Sequence, residues 1–131
     1  MYRRKSRQLK LGNMFIGGDA PISVQSMTNT KTENVEATVN QIKELTALGC
    51  DIIRCAVPDL RAALALSAIK AQIAIPLIAD IHFDYKLALE AIAAGVDGLR
   101  LNPGNIGGKD EVLQVIKKAS ERNILIRIGV N

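Results

Sequence analysis

The sequence predicts an α/β fold. A parallel sheet of alternating βα units, roughly the first half of a (β/α)8 TIM barrel, follows an N-terminal β-hairpin. Three observations predict this. Short β-branched runs alternate with apolar-periodic stretches of helix length, the pattern of strands joined by crossover helices. Apolar residues make up 48% of the 131 residues and aromatics only 3%, so Ala, Ile, Leu and Val must build the core, as buried parallel strands require. Finally, Leu48-Gly49-Cys50-Asp51-Ile52-Ile53-Arg54 is echoed 46 positions later by Ala94-Gly95-Val96-Asp97-Gly98-Leu99-Arg100. Units repeated two βα steps apart favour a barrel over an open doubly wound sheet. The glycine fingerprint of dinucleotide-binding sheets is missing after the first parallel strand, which points the same way. A full barrel needs about 250 residues.

The elements follow in order. Gln8–Leu11 and Met14–Ile16 alternate around Gly12-Asn13, a hairpin signal, and Gly17-Gly18 turns the chain. Ile22–Met27 reads as the first parallel strand, with the polar run Gln25–Thr30 at its end. Thr32 is placed to cap a helix carrying Val35, Val39, Ile42 and Leu45 at helical spacing, stopped by Gly49. Asp51–Val57 is the second strand and Asp59–Ala71 an Ala/Leu-rich helix. Leu77–Ala79 is a third strand, ending in Asp80-Ile81-His82-Phe83-Asp84. Tyr85–Ala94 is a helix stopped at Gly95, Gly98–Leu101 a fourth strand, Asp110–Arg122 a fourth helix and Ile124–Gly129 a fifth strand.

Charge is uneven along the chain. Arg3, Arg4, Lys5, Arg7 and Lys10 carry five of the positive charges with no acid among them, so the formal +4 leaves the remainder close to neutral. Residues 1–7 read as a basic arm, solvated or touching an anionic surface, and residues 8–131 as the partial barrel domain. Cys50 and Cys55 form no C-x-x-C pair, which argues against a disulfide framework or a metal site and fits the cytoplasm. No apolar run reaches membrane-spanning length.

The chemistry-bearing residues cluster at strand ends. Arg54 and Arg100 hold the same register in the echoed segments, and Arg127 lies in Ile126-Arg127-Ile128. A buried arginine is costly without a counter-charge. Three near the carboxyl ends of parallel strands converge on the face where barrel enzymes keep their sites, and a bound diphosphate would supply the anion. The alternative is that each pairs with a nearby Asp or is solvated. The loop Asn102-Pro103-Gly104-Asn105-Ile106-Gly107-Gly108, leading into a helix N-terminus, reads as one wall of a phosphate site or as an ordinary βα loop. Asn102, Asn105 and Asn131 are hydrogen-bonding candidates, with turn formation an equal account of Asn102 and Asn105. Gln25 and Met27 lie at the end of the first parallel strand. Asp80 and His82 end the third strand, with His82 either a proton donor or a structural loop residue. Cys55 reads as a packed strand residue.

Several ordered segments together resemble one family. They are Ile16–Thr28, Ala37–Ile42, Gly49–Asp59, Ile78–Phe83, Leu99–Gly107 and Arg127–Asn131. The chain resembles the N-terminal part of the 4-hydroxy-3-methylbut-2-enyl diphosphate synthases, iron–sulfur oxidoreductases of the methylerythritol phosphate route to isoprenoids. The resemblance implies a TIM barrel followed by a separate [4Fe–4S] domain. It also implies reductive ring opening and dehydroxylation of 2-C-methyl-D-erythritol 2,4-cyclodiphosphate. Arg54, Arg100, Asn102, Arg127 and Asn131 match diphosphate-pocket positions, and Asp80 and His82 match a motif at its edge. The family's cluster ligands, three cysteines and a glutamate, lie beyond residue 131, so the segment alone is expected to bind no cluster and to be inactive. A flavodoxin or ferredoxin-type electron donor and a homodimer are implied, with no nucleic acid or membrane partner. The competing readings are a dihydropteroate synthase-like phosphate-binding barrel and a non-catalytic basic binding module.

Overall fold

The computed structural model describes residues 2–130. Asn131, a candidate site residue, lies outside them. An antiparallel hairpin, β1 (Leu9–Leu11) and β2 (Met14–Ile16), precedes a five-stranded sheet. Its strands are β3 (Gln25–Met27), β4 (Ile52–Val57), β5 (Leu77–Ile81), β6 (Gly98–Leu101) and β7 (Leu125–Ile128). They lie side by side in chain order and every pair is parallel. The crossovers are α1 (Val35–Ala47), α2 (Leu60–Lys70), α3 (Tyr85–Ala94) and α4 (Lys109–Glu121). This is the partial (β/α)8 architecture that the alternation predicted.

Strand alternation gives the sheet two faces with different roles. Ile53, Cys55, Val57, Leu77, Ala79, Ile81, Leu99 and Leu101 point to the helices, joining Ile42, Leu66, Ile69, Ala88, Ile92 and Val115 in the main core. On the opposite face Ile52 and Ile78 pack with Leu11 of the hairpin, which covers the amino-terminal part of that face. Further along the same face, toward the carboxyl ends, the residues become polar and charged.

Three expectations are corrected. The first parallel strand begins at Gln25 rather than Ile22, because Asp51 intervenes. Its Oδ2 accepts the Val24 N–H at 2.8 Å, so a side chain takes the place of a ladder carbonyl there. The cap of α1 is Asn34, whose Oδ1 accepts the Ala37 N–H at 3.2 Å, and not Thr32. Thr32 is buried and its hydroxyl donates to the Ala56 carbonyl at 2.6 Å, pinning the β3–α1 loop to β4. The third parallel strand runs through Asp80 to Ile81, so Asp80 is a sheet residue and not part of the loop. Elsewhere the stop at Gly95 holds: it ends α3 at φ 90°, a left-handed conformation that suits glycine, while Asp59 and Asp84 cap α2 and α3, roles the sequence reading did not assign.

Candidate functional site

Register decides which strand-end residues meet. Ala56 pairs with Asp80, Asp80 with Arg100, and Arg100 with Arg127, so these four form one row across β4–β7. Met27, Arg54 and Ile78 form part of the row before it. Residues two apart on a strand share a face, so Arg54, Asp80, Arg100 and Arg127 all rise from the face opposite the helices, with Gln25 and Met27 beside them.

Asp80 is the centre of the group. It is 5% exposed, and a lone buried carboxylate would be expensive. Its Oδ2 lies 3.6 Å from Arg54 Nε and its Oδ1 3.5 Å from Arg100 Nη1. His82 Nε2 is 3.6 Å from the same Oδ2. Asp80 lies on β5, between the arginine-bearing strands β4 and β6, and is a nearby Asp of the kind the alternative reading allowed; the strand signal Leu77–Ala79 stops two residues short of the observed end at Ile81. One carboxylate against three guanidinium groups still leaves an excess of two positive charges. Arg54 Nε is buried with no hydrogen-bond partner, while its Nη2 donates to Met27 Sδ at 3.4 Å. Arg127 is exposed.

The β6–α4 loop is built by its own turn chemistry. Asn102 Oδ1 accepts the Gly104 N–H at 3.0 Å and the Asn102 carbonyl accepts the Asn105 N–H at 3.1 Å. The carboxamide oxygen of Asn102 is thereby spent in the loop, which leaves its Nδ2 group as the donor. Asn105 Oδ1 is buried and unbonded, so this candidate faces inward. Ile106 is buried, and its carbonyl accepts the Tyr85 N–H, fastening the loop to α3. The helix N-terminus behind the loop is already faced by an anion: Glu111 Oε2 lies 2.9 Å from the place a Gly108 Cβ would take. Together with Asp110 it compensates the α4 dipole, so this terminus is no empty anion cradle.

The β5–α3 junction sets His82. The Asp84 N–H donates to the His82 carbonyl at 2.8 Å, closing a three-residue turn around Phe83 at φ 60°. Phe83 is 74% exposed and its ring meets that of His82 edge-on, centroids 6.2 Å apart.

On the helix side, Cys55 is fully buried and touches Thr28 Oγ1 at 3.4 Å. Burial pushes its thiol up, only partly offset by that hydrogen bond. A protonated, enclosed thiol is no nucleophile.

The site is an open face. A cleft of about 660 Å³ lies at the amino-terminal ends of the strands against Lys10, Asp97 and Arg122, away from Arg54, Arg100 and Arg127. Two site features escaped the sequence argument. One is that a single acid, Asp80, faces both Arg54 and Arg100, where the sequence offered only a nearby Asp for each. The other is Gly129, against which Arg100 packs, and which carried no local signal beyond being a glycine at a strand end.

Residues 6–131 match the GcpE TIM-barrel domain model. The chain belongs to the GcpE barrel family. It is 62% identical over 129 residues to a 4-hydroxy-3-methylbut-2-en-1-yl diphosphate synthase (flavodoxin) of Dehalococcoides mccartyi, covering 98% of this chain and 37% of that protein. The protein of that name from Clostridium perfringens is 59% identical over 131 residues, covering 100% of this chain and 38% of the relative. The chain thus spans little more than a third of the length of the curated relatives it matches. Among solved structures, a Xanthomonas albilineans dihydropteroate synthase in complex with 7,8-dihydropteroate superposes with TM-score 0.67 at 22% identity, covering 92% of this chain and 48% of that one. That likeness shows the barrel fold alone. Among the described residues of this GcpE barrel, no helix is long and apolar enough to cross a membrane.

Proposed function

We propose that this chain is the diphosphate-binding part of a barrel that reductively opens 2-C-methyl-D-erythritol 2,4-cyclodiphosphate to 4-hydroxy-3-methylbut-2-enyl diphosphate. The observation that carries the reading is the convergence of Arg54, Arg100 and Arg127 on one face at the carboxyl ends of the strands, with Asp80 beside Arg54 and Arg100. Asn102 and Asn131 extend the set, and Gln25 and Met27 line its edge. Guanidinium groups suit diphosphate because each offers a planar fork of donors and a permanent charge. The names of the relatives carry the product diphosphate and flavodoxin, which supports a diphosphate ligand and a flavodoxin donor. Asp80 is the counter-charge of Arg54 and Arg100, and His82, 35% exposed in its side chain, stands at the edge as a hydrogen-bond or proton donor to substrate oxygen.

The reduction needs an electron carrier. A [4Fe–4S] cluster takes four ligands, usually cysteines. Here Cys50 and Cys55 are both buried, and the described residues contain no group of three or more metal-ligating side chains. The residues present do not fit a cluster, so no step is routed through one on this chain. In this reading the cluster belongs to another part of the protein and meets this face in a homodimer in the cytoplasm.

Calorimetry with the cyclic diphosphate tests the proposal. Arg100→Ala should weaken binding by about 1.5–3 kcal/mol, the worth of a hydrogen bond to a charged group. Arg61→Ala, on the exposed side of α2, should leave it unchanged. Equal losses in both would show attraction to a basic chain in general. Unchanged binding in Arg100→Ala would remove that arginine from the site.

A further inference from the structure

Gly129 follows β7 and has no role in the diphosphate set described above. A Cβ at this position would lie 2.4 Å from Arg100 Nε, 2.6 Å from Nη2 and 2.7 Å from Cζ. Real side chains do not approach so closely, so the Arg100 guanidinium occupies the volume that any other residue at 129 would fill. All three nearest atoms belong to Arg100, and no backbone atom is among them. Nor does the backbone itself ask for glycine here, since φ is not left-handed. The Gly129 N–H donates to the Leu101 carbonyl at 2.8 Å, a bond an alanine would keep. The closest obstacle to a side chain at 129 is therefore the Arg100 guanidinium and not the backbone.

We infer that Gly129 is a positioning residue: it leaves open the space in which the Arg100 guanidinium rests beside Asp80, and so sets the direction from which Arg100 meets an anion. This rests on the proposed diphosphate reading for its functional consequence, but not for its geometry. Arg100 is flexible, so an added methyl group should displace the side chain rather than the strand. Its Nη1 would then leave Asp80 Oδ1, now 3.5 Å away, and the row Asp80–Arg100–Arg127 would lose its middle member.

The test is a double-mutant cycle on the full-length protein, with inorganic pyrophosphate as probe in calorimetry. Gly129→Ala should weaken pyrophosphate by about ten- to hundred-fold, as Arg100→Ala does. The double variant should be no weaker than Arg100→Ala alone, because the methyl group acts only through the guanidinium. Additive losses would overturn the inference. If Gly129→Ala fails to fold, adding Arg100→Ala should restore folding, and failure to restore it would place the fault in the backbone and refute the idea.

A second readout does not depend on any ligand. The ¹H–¹⁵Nε signal of Arg100, assigned by its loss in Arg100→Lys, should move in Gly129→Ala while the signal of Arg61 stays. An unmoved Arg100 signal overturns the positioning role whatever pyrophosphate does. A wild-type protein that ignores pyrophosphate while the Arg100 signal moves would refute the diphosphate reading and uphold the positioning role.

Discussion

Asp80→Asn should push stability and anion affinity in opposite directions. The substitution keeps the shape and removes one negative charge from beneath two guanidinium groups. Breaking a fully buried ion pair by deleting one partner costs about 3–5 kcal/mol. Here the Asp80 side chain is 7% exposed, but those of Arg54 and Arg100 are 26% and 18% exposed, so water takes up part of the loss. The contacts of 3.6 and 3.5 Å are also longer than good charge-assisted hydrogen bonds. A destabilisation of about 2 kcal/mol follows, which lowers a urea midpoint by about 1 M. For an anion the same change is favourable. One unit of charge about 8 Å from pyrophosphate, which carries about three negative charges at neutral pH, is worth about 1.5 kcal/mol in water-like dielectric, so pyrophosphate should bind about ten-fold more tightly. Urea titration and calorimetry on one preparation measure both. Loss of stability together with weaker binding would refute the counter-charge argument and show that Asp80 acts by orienting the arginines.

Three further outcomes are expected. Because burial raises the Cys55 pKa, the folded thiol keeps its proton at pH values where the unfolded thiol has lost it. Its contribution to stability is full below the ordinary value of 9.0 and declines as pH rises past it, and Cys55→Ala should lack that part of the alkaline slope in parallel melts. Thr32→Val strips the partner from the Ala56 carbonyl and should cost about 1–3 kcal/mol in urea unfolding, whereas a cost near zero would show water replacing the hydroxyl. Phe83→Asn puts a residue tolerant of left-handed backbone at φ 60° and removes a ring that is 74% exposed, so thermal denaturation should show a gain of about 0.5–1 kcal/mol. A loss there would mean that the ring's contact with His82 outweighs the backbone strain.

Element identity was legible in the chain because it depends on local rules. The spacing of Val35, Val39 and Ile42 and the stop at Gly95 each act over a few residues. Alternation of strand and helix then favours a parallel sheet, since parallel strands need a long crossover and a helix supplies it. The repeated Gly-x-Asp-x-x-Arg pattern at Gly49–Arg54 and Gly95–Arg100 likewise marks two arginines near strand ends, which register sets one row apart on the same face. What was not legible depended on contacts between residues far apart in sequence. Thr32 looked like a cap, but its hydroxyl is drawn to Ala56 on β4 and the neighbouring Asn34 takes the cap. Asp80 looked like the start of a loop because a charged residue rarely continues a buried strand, and only arginines 26 residues before and 20 after it make that position tenable. Glu111 at the start of α4 and Gly129 beneath Arg100 are likewise matters of space. A sequence states which groups exist and their local conformation. Whether a charge is neutralised, or a volume left open for it, is decided when register brings separate strands side by side.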